Sequence, residues 1–463
     1  MADVLLTHSN HLFFDKKQIQ KMQPYVPLQT ILAAAVLREA GIDVAICDVT
    51  LQDPEKAIEE SLRRSSPQWV VVCEDDFNFL TKMCLGRNRQ LAFWIAEAAK
   101  ASGCRTAVHG SDASDHVREY LEAGFDYVLG GEVEDALLEL VQGHAANAIS
   151  GLVYFSPETG RLHHNSRCLV RTDLDSLPMP GWDLVDVEQY RAAWVSRHGF
   201  FSMNMVSSRG CPYKCNWCAK PIHGNSYHAR SAMRVAEEML YLKQTYRPDH
   251  IWFADDIFAL SARWTREFSD TVERLQAQIP FKMQSRCDLM TRDSVGALKR
   301  AGCAEVWMGA ESGSQRILDA MEKGIRVDDI CQARINLAQH RIRAGWFLQF
   351  GYPGEDWKDI EETIRIVREM RPNDIGVSVS YPIAGTKFYQ LVASQMGNKK
   401  NWSDSGDLAM MFQGTFSSEV YRALADALHL EVREPEKKLA IQNAWAKVHA
   451  LKDARPAFAG VAS

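Results

Sequence analysis

Short apolar runs alternate with amphipathic stretches over the first 143 residues of the chain. Five of these runs have the length and the aliphatic content of buried strands. They span residues 4–7, 42–47, 69–73, 106–109 and 127–129. Between the first two runs, apolar residues recur at helical spacing from Leu28 to Val36, and Gly41 marks the end of that helix. The pattern predicts an α/β fold with a doubly wound, Rossmann-like parallel sheet, whose ligand crevice lies at the carboxyl ends of the strands.

The same alternation resumes after residue 203. Six further runs with the character of strands span residues 203–207, 251–254, 281–285, 305–310, 347–351 and 375–380. Helical patterns separate them, for example over 232–246 and 359–370. Six strand–helix units predict a partial (β/α)6 barrel, in which functional residues lie at the carboxyl ends of the strands.

The segment between these two halves has few periodic signals. Pro178, Pro180 and Gly181 punctuate it, and a Ser-Pro-Glu-Thr-Gly turn predicts a small hairpin of 151–155 against 161–164. After residue 390 the apolar spacing is helical again. We therefore divide the chain into a Rossmann-like domain at 1–143, a linker with a hairpin at 144–200, a partial barrel at 201–390 and a helical region at 391–463.

Composition narrows the possible partners. With 463 residues, 53 basic and 59 acidic, the chain has a net charge of −6 and no basic run, which argues against nucleic-acid binding. The amino terminus has no basic, apolar leader, and nowhere do 18 apolar residues run together, so we expect a cytoplasmic protein outside the membrane. Eleven cysteines, an odd number, indicate reduced thiols and metal ligands rather than a disulfide framework.

Three of those cysteines lie close together. Cys211, Cys215 and Cys218 occur in Ser-Ser-Arg-Gly-Cys-Pro-Tyr-Lys-Cys-Asn-Trp-Cys-Ala, at residues 207–219. Three thiolates at this spacing can hold an iron–sulfur cluster and leave one iron open for chemistry. Cys168 and Cys287 are too remote in sequence to be assigned as a fourth ligand. A structural zinc site, which requires four closed ligands, is the weaker alternative.

This loop, with Trp217 before its last cysteine, resembles the cluster loop of the radical S-adenosylmethionine (SAM) enzymes. The resemblance implies that SAM chelates the open iron of a [4Fe–4S] cluster and that electron transfer cleaves SAM to a 5′-deoxyadenosyl radical. Cys211, Cys215 and Cys218 would be the cluster ligands. The adjacent acids Asp255 and Asp256 close a predicted strand and suit either acid–base work, a cation or a helix cap.

Further positions match the SAM site of that family in order along the chain. Glu311 matches the acid that hydrogen-bonds the ribose, and Arg286 and Lys323 match basic residues that neutralise the SAM carboxylate. A surface lysine before a glycine is the alternative for Lys323. Gly351, in Gly-Tyr-Pro-Gly-Glu, and Pro382, in Pro-Ile-Ala-Gly-Thr, match the segments that approach the adenine.

The first 143 residues resemble the cobalamin-binding domain of one radical SAM subfamily. The resemblance rests on the 27–41 segment and on Gly130, Gly131 and Glu132, which would border the nucleotide tail of cobalamin. The D-x-H-x-x-G motif that supplies a cobalt ligand in many cobalamin domains is replaced here by Thr-His-Ser-Asn-His-Leu at residues 7–12. We therefore expect cobalamin to bind without His8 or His11 on cobalt, since a lone loop histidine is more often an ordinary hydrogen-bonding residue.

The subfamily mostly methylates unactivated carbon, which implies a small or carrier-bound substrate and an electron donor such as flavodoxin or ferredoxin. Transfer of the 3-amino-3-carboxypropyl group of SAM, and cyclisation or rearrangement, are alternatives that no residue here decides among. An iron–sulfur or zinc scaffold protein would explain only the cysteines, and a cobalamin-sensing regulator would explain only residues 1–143. The sequence assigns neither the substrate nor any catalytic side chain.

Overall fold

The computed structural model describes residues 2–77, 85–166, 170–220, 222–397 and 408–454. The chain forms two compact units. The first unit comprises Met1–Pro212, Lys220–Asp256 and Arg274–Pro280. The second unit comprises Tyr213–Ala219, Ile257–Glu273 and Phe281–Ser463.

The first unit begins with a sheet of seven strands. Its strands are β1 (Val4–Thr7), β2 (Val44–Cys47), β3 (Trp69–Cys73), β4 (Arg105–His109), β5 (Tyr127–Leu129), β6 (Leu152–Phe155) and β7 (Leu162–His164). Its helices are α1 (Lys16–Lys21), α2 (Leu28–Glu39), α3 (Pro54–Ser65), α4 (Leu85–Ala101), α5 (Ser111–Asp115), α6 (Val117–Glu122) and α7 (Val133–Val141). Strands β1 to β5 are parallel in the order β2-β1-β3-β4-β5, so the prediction of a doubly wound sheet is confirmed.

Apolar clusters lie on both faces of this sheet, as expected for parallel strands covered by helices on each side. Successive residues of β1 belong to different clusters, with Leu5 in one and Leu6 in the other. The predicted helix after Pro27 is α2, and most of its side chains are buried. Helix α3 begins at Pro54, with the Asp53 side chain accepting a hydrogen bond from the Lys56 amide at 3.2 Å.

The predicted hairpin forms, as β6 and β7, but it does not stand apart from the sheet. Strand β6 pairs antiparallel with β5, so the hairpin extends the parallel sheet by two antiparallel strands. The segment that follows contains helix α8 (Val187–His198), which the sequence pattern did not predict. The tertiary fold thus gives residues 144–200 more regular structure than their composition indicates.

The remaining elements of the first unit lie between residues 202 and 253. They are β8 (Ser202–Met205), β9 (Ser208–Arg209), β10 (His228–Ala229), α9 (Ala232–Thr245) and β11 (His250–Phe253). Strands β8 and β11 are parallel neighbours, and β9 pairs antiparallel with β10.

The second unit contains four parallel strands in the order β15-β14-β13-β12 and the helices that follow them. The strands are β12 (Phe281–Ser285), β13 (Cys303–Glu311), β14 (Arg343–Phe350) and β15 (Asp374–Val379). The helices are α10 (Ala262–Arg274), α11 (Arg292–Ala301), α12 (Gln315–Ala320), α13 (Val327–Gln339), α14 (Trp357–Met370), α15 (Lys387–Val392), α16 (Ser418–Arg433) and α17 (Lys438–Asp453). The six strands predicted after residue 203 are therefore all present, as β8 and β11 to β15.

In the described part of the chain, every helix is too short or too polar to span a lipid bilayer.

Candidate functional site

The cysteine loop starts directly after β9. Cys211, Cys215 and Cys218 are half-buried, and the Cys218 amide donates a hydrogen bond to the Cys215 carbonyl at 3.2 Å. Gly210 precedes the first cysteine with φ +77°, and a Cβ on it would lie 2.4 Å from the Ser226 carbonyl oxygen. The backbone therefore enters the loop through a position that only glycine fits.

Asp255, one of the two adjacent acids, holds the chain that leads into this loop. Its carboxylate accepts hydrogen bonds from the Ser207 hydroxyl at 2.7 Å and from the Ser208 hydroxyl at 2.5 Å. Burial raises the pKa of Asp255 to about 6, although the serine donors oppose the shift. The sequence left several roles open for Asp255. The geometry favours a structural role, in which its carboxylate holds Ser207 and Ser208 in place.

A buried ionic network joins β9 to helix α7, and the sequence pattern did not reveal it. Arg209 lies 2.5 Å from a Glu134 carboxylate oxygen and 3.4 Å from Glu132, which also lies 3.3 Å from His223. Burial opposes the ionisation of Glu134, but Arg209 beside it lowers the pKa of Glu134 to about 2. Because Arg209 lies 75 positions from Glu134 and His223 lies 91 positions from Glu132, no sequence spacing could have indicated the network.

In the second unit, Arg286 lies against the cysteine loop. Its guanidinium carbon is 3.6 Å from the centre of the Tyr213 ring, and Nη1 is 4.0 Å from Cys215 Sγ. The same Nη1 donates a hydrogen bond to the Lys323 carbonyl at 2.9 Å. Arg286 therefore connects the loop to the segment that carries Lys323.

Glu311 and Lys323 form a buried ion pair of 2.8 Å in the same unit. Burial lowers the pKa of Lys323, but Glu311 outweighs that effect and the net shift is upward. Glu311 has φ +59°, a left-handed conformation that costs free energy for a residue with a side chain. A Cβ on Gly309 would lie 2.5 Å from both Glu311 Oε1 and Lys323 Nζ, so glycine at 309 makes room for the pair.

The two remaining SAM-site candidates lie at the ends of β14 and β15. Gly351 follows β14 with φ +74°, and its amide donates to Glu355 Oε2 at 2.6 Å. Burial raises the pKa of Glu355 to about 8. Pro382 is buried after β15, just before the Gly385-Thr386 turn that opens α15. Their roles toward SAM stay predictions.

The crevice of the first sheet carries His8 at the end of β1. Nε2 of His8 lies 3.0 Å from Asp48, whose other oxygen accepts a 2.6 Å hydrogen bond from the Tyr190 hydroxyl. Burial lowers the pKa of His8, but Asp48 outweighs it and raises the net value. Within the described residues, buried Nδ1 of His8 has no hydrogen-bond partner. His11 Nδ1 is hydrogen-bonded to the Val49 carbonyl at 2.8 Å. Both histidines therefore already have a polar partner within the protein.

The predicted cobalamin residues follow β5. The Gly130 amide donates to the Gly151 carbonyl at 2.9 Å, and a Cβ on Gly130 would lie 3.1 Å from that oxygen. Gly131 has φ +79°, and its carbonyl lies 2.9 Å from His109 Nε2. Glu132 is buried in the Arg209 network and accepts a 2.8 Å hydrogen bond from the Arg171 amide. The turn is tight, and its polar groups form hydrogen bonds within the protein. Cobalamin as the ligand of this turn stays a prediction.

The donor sets fit the groups that the sequence implies. Three half-buried cysteines with a guanidinium beside one of them suit an iron–sulfur cluster, and the buried Nδ1 of His8 in the sheet crevice suits a polar ligand. Cys287 is buried, and burial raises the pKa of its thiol to about 12. In the part of the chain that the structure describes, no three His, Cys, Asp or Glu side chains converge for a single metal ion. Cys84 and Cys168 lie outside the described residues.

Comparisons with known sequences match the central part of the chain to one superfamily. Residues 205–367 match the family model described as the radical SAM superfamily. Over 283 residues, the chain is 28% identical to a protein of Pyrococcus horikoshii named as an uncharacterized methyltransferase, covering 60% of each chain. It is 23% identical over 283 residues to an anaerobic magnesium-protoporphyrin IX monomethyl ester cyclase of Synechocystis, covering 59% of this chain and 55% of that protein. The chain thus spans less than two thirds of the length of these curated relatives.

Solved structures share the fold at low sequence identity. The cobalamin-dependent SAM radical enzyme OxsB, with aqua-cobalamin and SAM bound, matches with a TM-score of 0.76 at 16% identity, covering 97% of this chain and 71% of that chain. The radical SAM methyltransferase TsrM from Kitasatospora setae, with cobalamin and a [4Fe-4S] cluster bound, matches with a TM-score of 0.68 at 18% identity, covering 87% and 76%. These likenesses show the α/β architecture of parallel sheets and helices that the sequence predicted.

Proposed function

We propose that this protein is a cobalamin-dependent radical SAM enzyme that methylates an unactivated carbon of a small or carrier-bound substrate, because residues 205–367 match the radical SAM superfamily model. One observation carries the proposal. In the second unit, Arg286 lies against both Cys215 and the Lys323 backbone, and Lys323 is paired with Glu311. The predicted ligands of the SAM carboxylate and ribose therefore lie in a continuous row that starts at the cysteine loop.

Each group in this row has a chemical task under the proposal. Cys211, Cys215 and Cys218 hold the cluster as thiolates. Arg286 and Lys323 supply positive charge for the SAM carboxylate, and Glu311 accepts hydrogen bonds from the ribose hydroxyls. When bound, the cluster supplies the electron that cleaves SAM, and cobalamin carries the methyl group.

The SAM adenine and the cobalamin tail would meet backbone rather than long side chains. Gly351, in a left-handed conformation, allows close approach of the chain to the adenine, and Pro382 fixes the turn after β15. Gly130 and Gly131 would do the same for the cobalamin tail, with Glu132 beside them. Names of relatives support methyl transfer, since the Pyrococcus relative and TsrM are both called methyltransferases.

Anaerobic reconstitution followed by product analysis tests the proposal. With methyl-labelled SAM, a reductant and the true substrate, label should enter the product, and 5′-deoxyadenosine and S-adenosylhomocysteine should form in comparable amounts. Methylthioadenosine as the main coproduct would indicate aminocarboxypropyl transfer instead. Protein that binds zinc and no iron would point to a scaffold, and protein that binds cobalamin without ever cleaving SAM would point to a sensor.

Cyclisation is the second candidate, because the chain is also related to proteins named as anaerobic cyclases. A cyclase would produce 5′-deoxyadenosine without S-adenosylhomocysteine, so the same assay distinguishes it. Either reaction requires an electron donor, for which a flavodoxin or a ferredoxin is suited. The free thiols and an oxygen-sensitive cluster fit a reducing compartment such as the cytoplasm.

A further inference from the structure

In the second unit, strands β12 to β15 have one face that is partly open. On the other face, the side chains of β13 and β14 are fully buried, as shown by Val306, Met308, Trp346 and Leu348. On the partly open face, Trp307 and Phe347 are half-buried, whereas Gln349 is buried. Parallel sheets normally have both faces covered, so within the described residues this open face stands out as a place for a ligand.

Two aromatic rings lie side by side on the open face. The ring centres of Trp307 and Phe347 are 5.0 Å apart, with 34° between the ring planes. The indole N–H of Trp307 donates to Glu305 at 2.5 Å, and Glu305 also pairs with Arg343 at 3.1 Å. The indole is therefore held in place with its polar atom satisfied, which leaves a flat apolar surface half-exposed.

Glycines on the neighbouring strands make room for these rings. Gly345 lies opposite Trp307 in the register of β13 and β14, and a Cβ on Gly345 would lie 2.5 Å from the indole. Phe347 lies opposite Gly309 on one side and Gly376 on the other. Rings over glycines stabilise sheets by covering bare backbone, but that role alone does not explain why the rings stay half-exposed.

The two rings lie next to the predicted SAM ribose anchor. Gly309, the register partner of Phe347, is the residue whose Cβ would touch Glu311 and Lys323. The aromatic pair is therefore separated from that ion pair by a single glycine position on the same face of the sheet. A group stacked on Trp307 and Phe347 would lie beside whatever binds Glu311.

From this geometry we infer that Trp307 and Phe347 form the substrate platform of the enzyme and that the substrate presents a planar fused-ring group to it. The inference rests on the proposed function, because it uses Glu311 as the SAM anchor. Flat rings stack on flat rings, whereas a saturated ring of the same outline keeps hydrophobic contact but loses the stacked face.

A matched pair of neutral probes tests the platform. Equilibrium dialysis of the anaerobically reconstituted protein with 2-naphthol and with decahydro-2-naphthol measures the preference for a planar ring. We expect the planar probe to bind at least about fivefold more tightly. Trp307→Leu and Phe347→Leu should each remove most of that preference, and Gly345→Ala should weaken it by displacing the indole.

Trp264→Leu is the control variant, because Trp264 lies on helix α10 of the same unit and stacks on Phe268 with ring centres 5.2 Å apart. It should leave the preference unchanged, and circular dichroism checks that each variant is folded. Equal affinities for the two probes, or an equal loss in Trp264→Leu, would overturn the platform. Protein that prefers the planar probe but never cleaves SAM keeps the platform and overturns the proposed function. Protein that cleaves SAM but does not prefer the planar probe keeps the proposed function and overturns the platform.

Discussion

The Glu311 carboxylate is held in one position by a strained backbone conformation and by its ion pair with buried Lys323. Two ribose hydroxyls that lose their acceptor in a closed site cost roughly 1–3 kcal/mol each. We therefore expect Glu311→Gln to weaken SAM binding by at least about tenfold. Isothermal titration of reconstituted protein with SAM measures the effect.

Glu322→Gln is a suitable control for this measurement. Glu322 lies beside Lys323 in the chain, but its side chain is exposed and pairs with Lys387 at 2.8 Å. It should keep the affinity of the unchanged protein for SAM. Equal SAM affinity in the two variants would remove Glu311 from the binding site.

The three loop cysteines should act as a unit. Replacing Cys211, Cys215 or Cys218 with Ala should abolish iron and sulfide binding after anaerobic reconstitution, because each ligand completes one cluster. Cys331→Ser is the control, since Cys331 is another half-buried free thiol, and it should retain iron. Stoichiometric iron in the variant lacking all three loop cysteines would exclude this loop as the cluster site.

Glu355 should make stability depend on pH. Burial raises its pKa from 4.5 to about 8, so the folded state keeps a proton that the unfolded chain releases. The free energy of unfolding therefore falls as pH rises from 4.5 toward 8, by at most about 1.4 kcal/mol per pH unit. Glu355→Gln keeps an acceptor for the Gly351 amide and removes this titration.

Urea unfolding at a series of pH values measures the difference. The Glu355→Gln protein should match the unchanged protein near pH 4 and become the more stable of the two near pH 8. Exposed Glu361 on α14 provides the control, as Glu361→Gln should leave the pH dependence unaltered. A constant difference between Glu355→Gln and the unchanged protein at all pH values would contradict a protonated Glu355.

At the level of elements, the turn between β9 and the cysteine loop depends on Gly210. Alanine there meets both an unfavourable φ and the Ser226 carbonyl, whereas Gly199, at the end of α8, has φ +75° with open space around its Cβ position. Gly199→Ala should lose only about 1 kcal/mol. Gly210→Ala should lose more stability and also reduce iron loading, which melting curves and iron analysis will show. Equal effects of the two variants would mean that the turn tolerates a side chain.

The sequence predicted the positions of the helices and strands better than it predicted which of them contact one another. The spacing and length of the apolar runs located β1 to β5 and the later strands to within a few residues. This works because buried parallel strands consist of nearly continuous apolar residues. The attachment of β6 to β5 depends on a tertiary edge that no local pattern encodes. The same holds within the site: the spacing of the cysteines was visible, whereas the contact of Arg209 with Glu134 joins distant segments.

For the whole molecule, the two cofactors should load independently, because the residues assigned to the cluster and to cobalamin do not overlap. The variant with alanine at Cys211, Cys215 and Cys218 should lose iron and still retain stoichiometric cobalamin when offered hydroxocobalamin. Absorption spectroscopy and iron analysis of one preparation check both. Loss of cobalamin together with iron would show that one site is built on the other.

Cobalamin in the intact protein should also show no nitrogen ligand from His8 or His11. Nε2 of His8 is committed to Asp48, and His11 is committed to the Val49 carbonyl. Spin resonance of the cobalt(II) form should lack nitrogen splitting, and His8→Ala and His11→Ala should leave the spectrum unaltered. A nitrogen-coupled signal that either variant removes would assign a lower ligand to cobalt.

The hairpin beyond β5 has a consequence for handling the protein. Without β6 and β7, strand β5 would present the unpaired backbone groups of a three-residue edge, Tyr127–Leu129, as a template for strands of other molecules. The hairpin moves that edge outward to β7, which is short and ends in two exposed histidines, His163 and His164. A chain cut before residue 150 should therefore self-associate and precipitate, whereas one cut after the hairpin should resist aggregation.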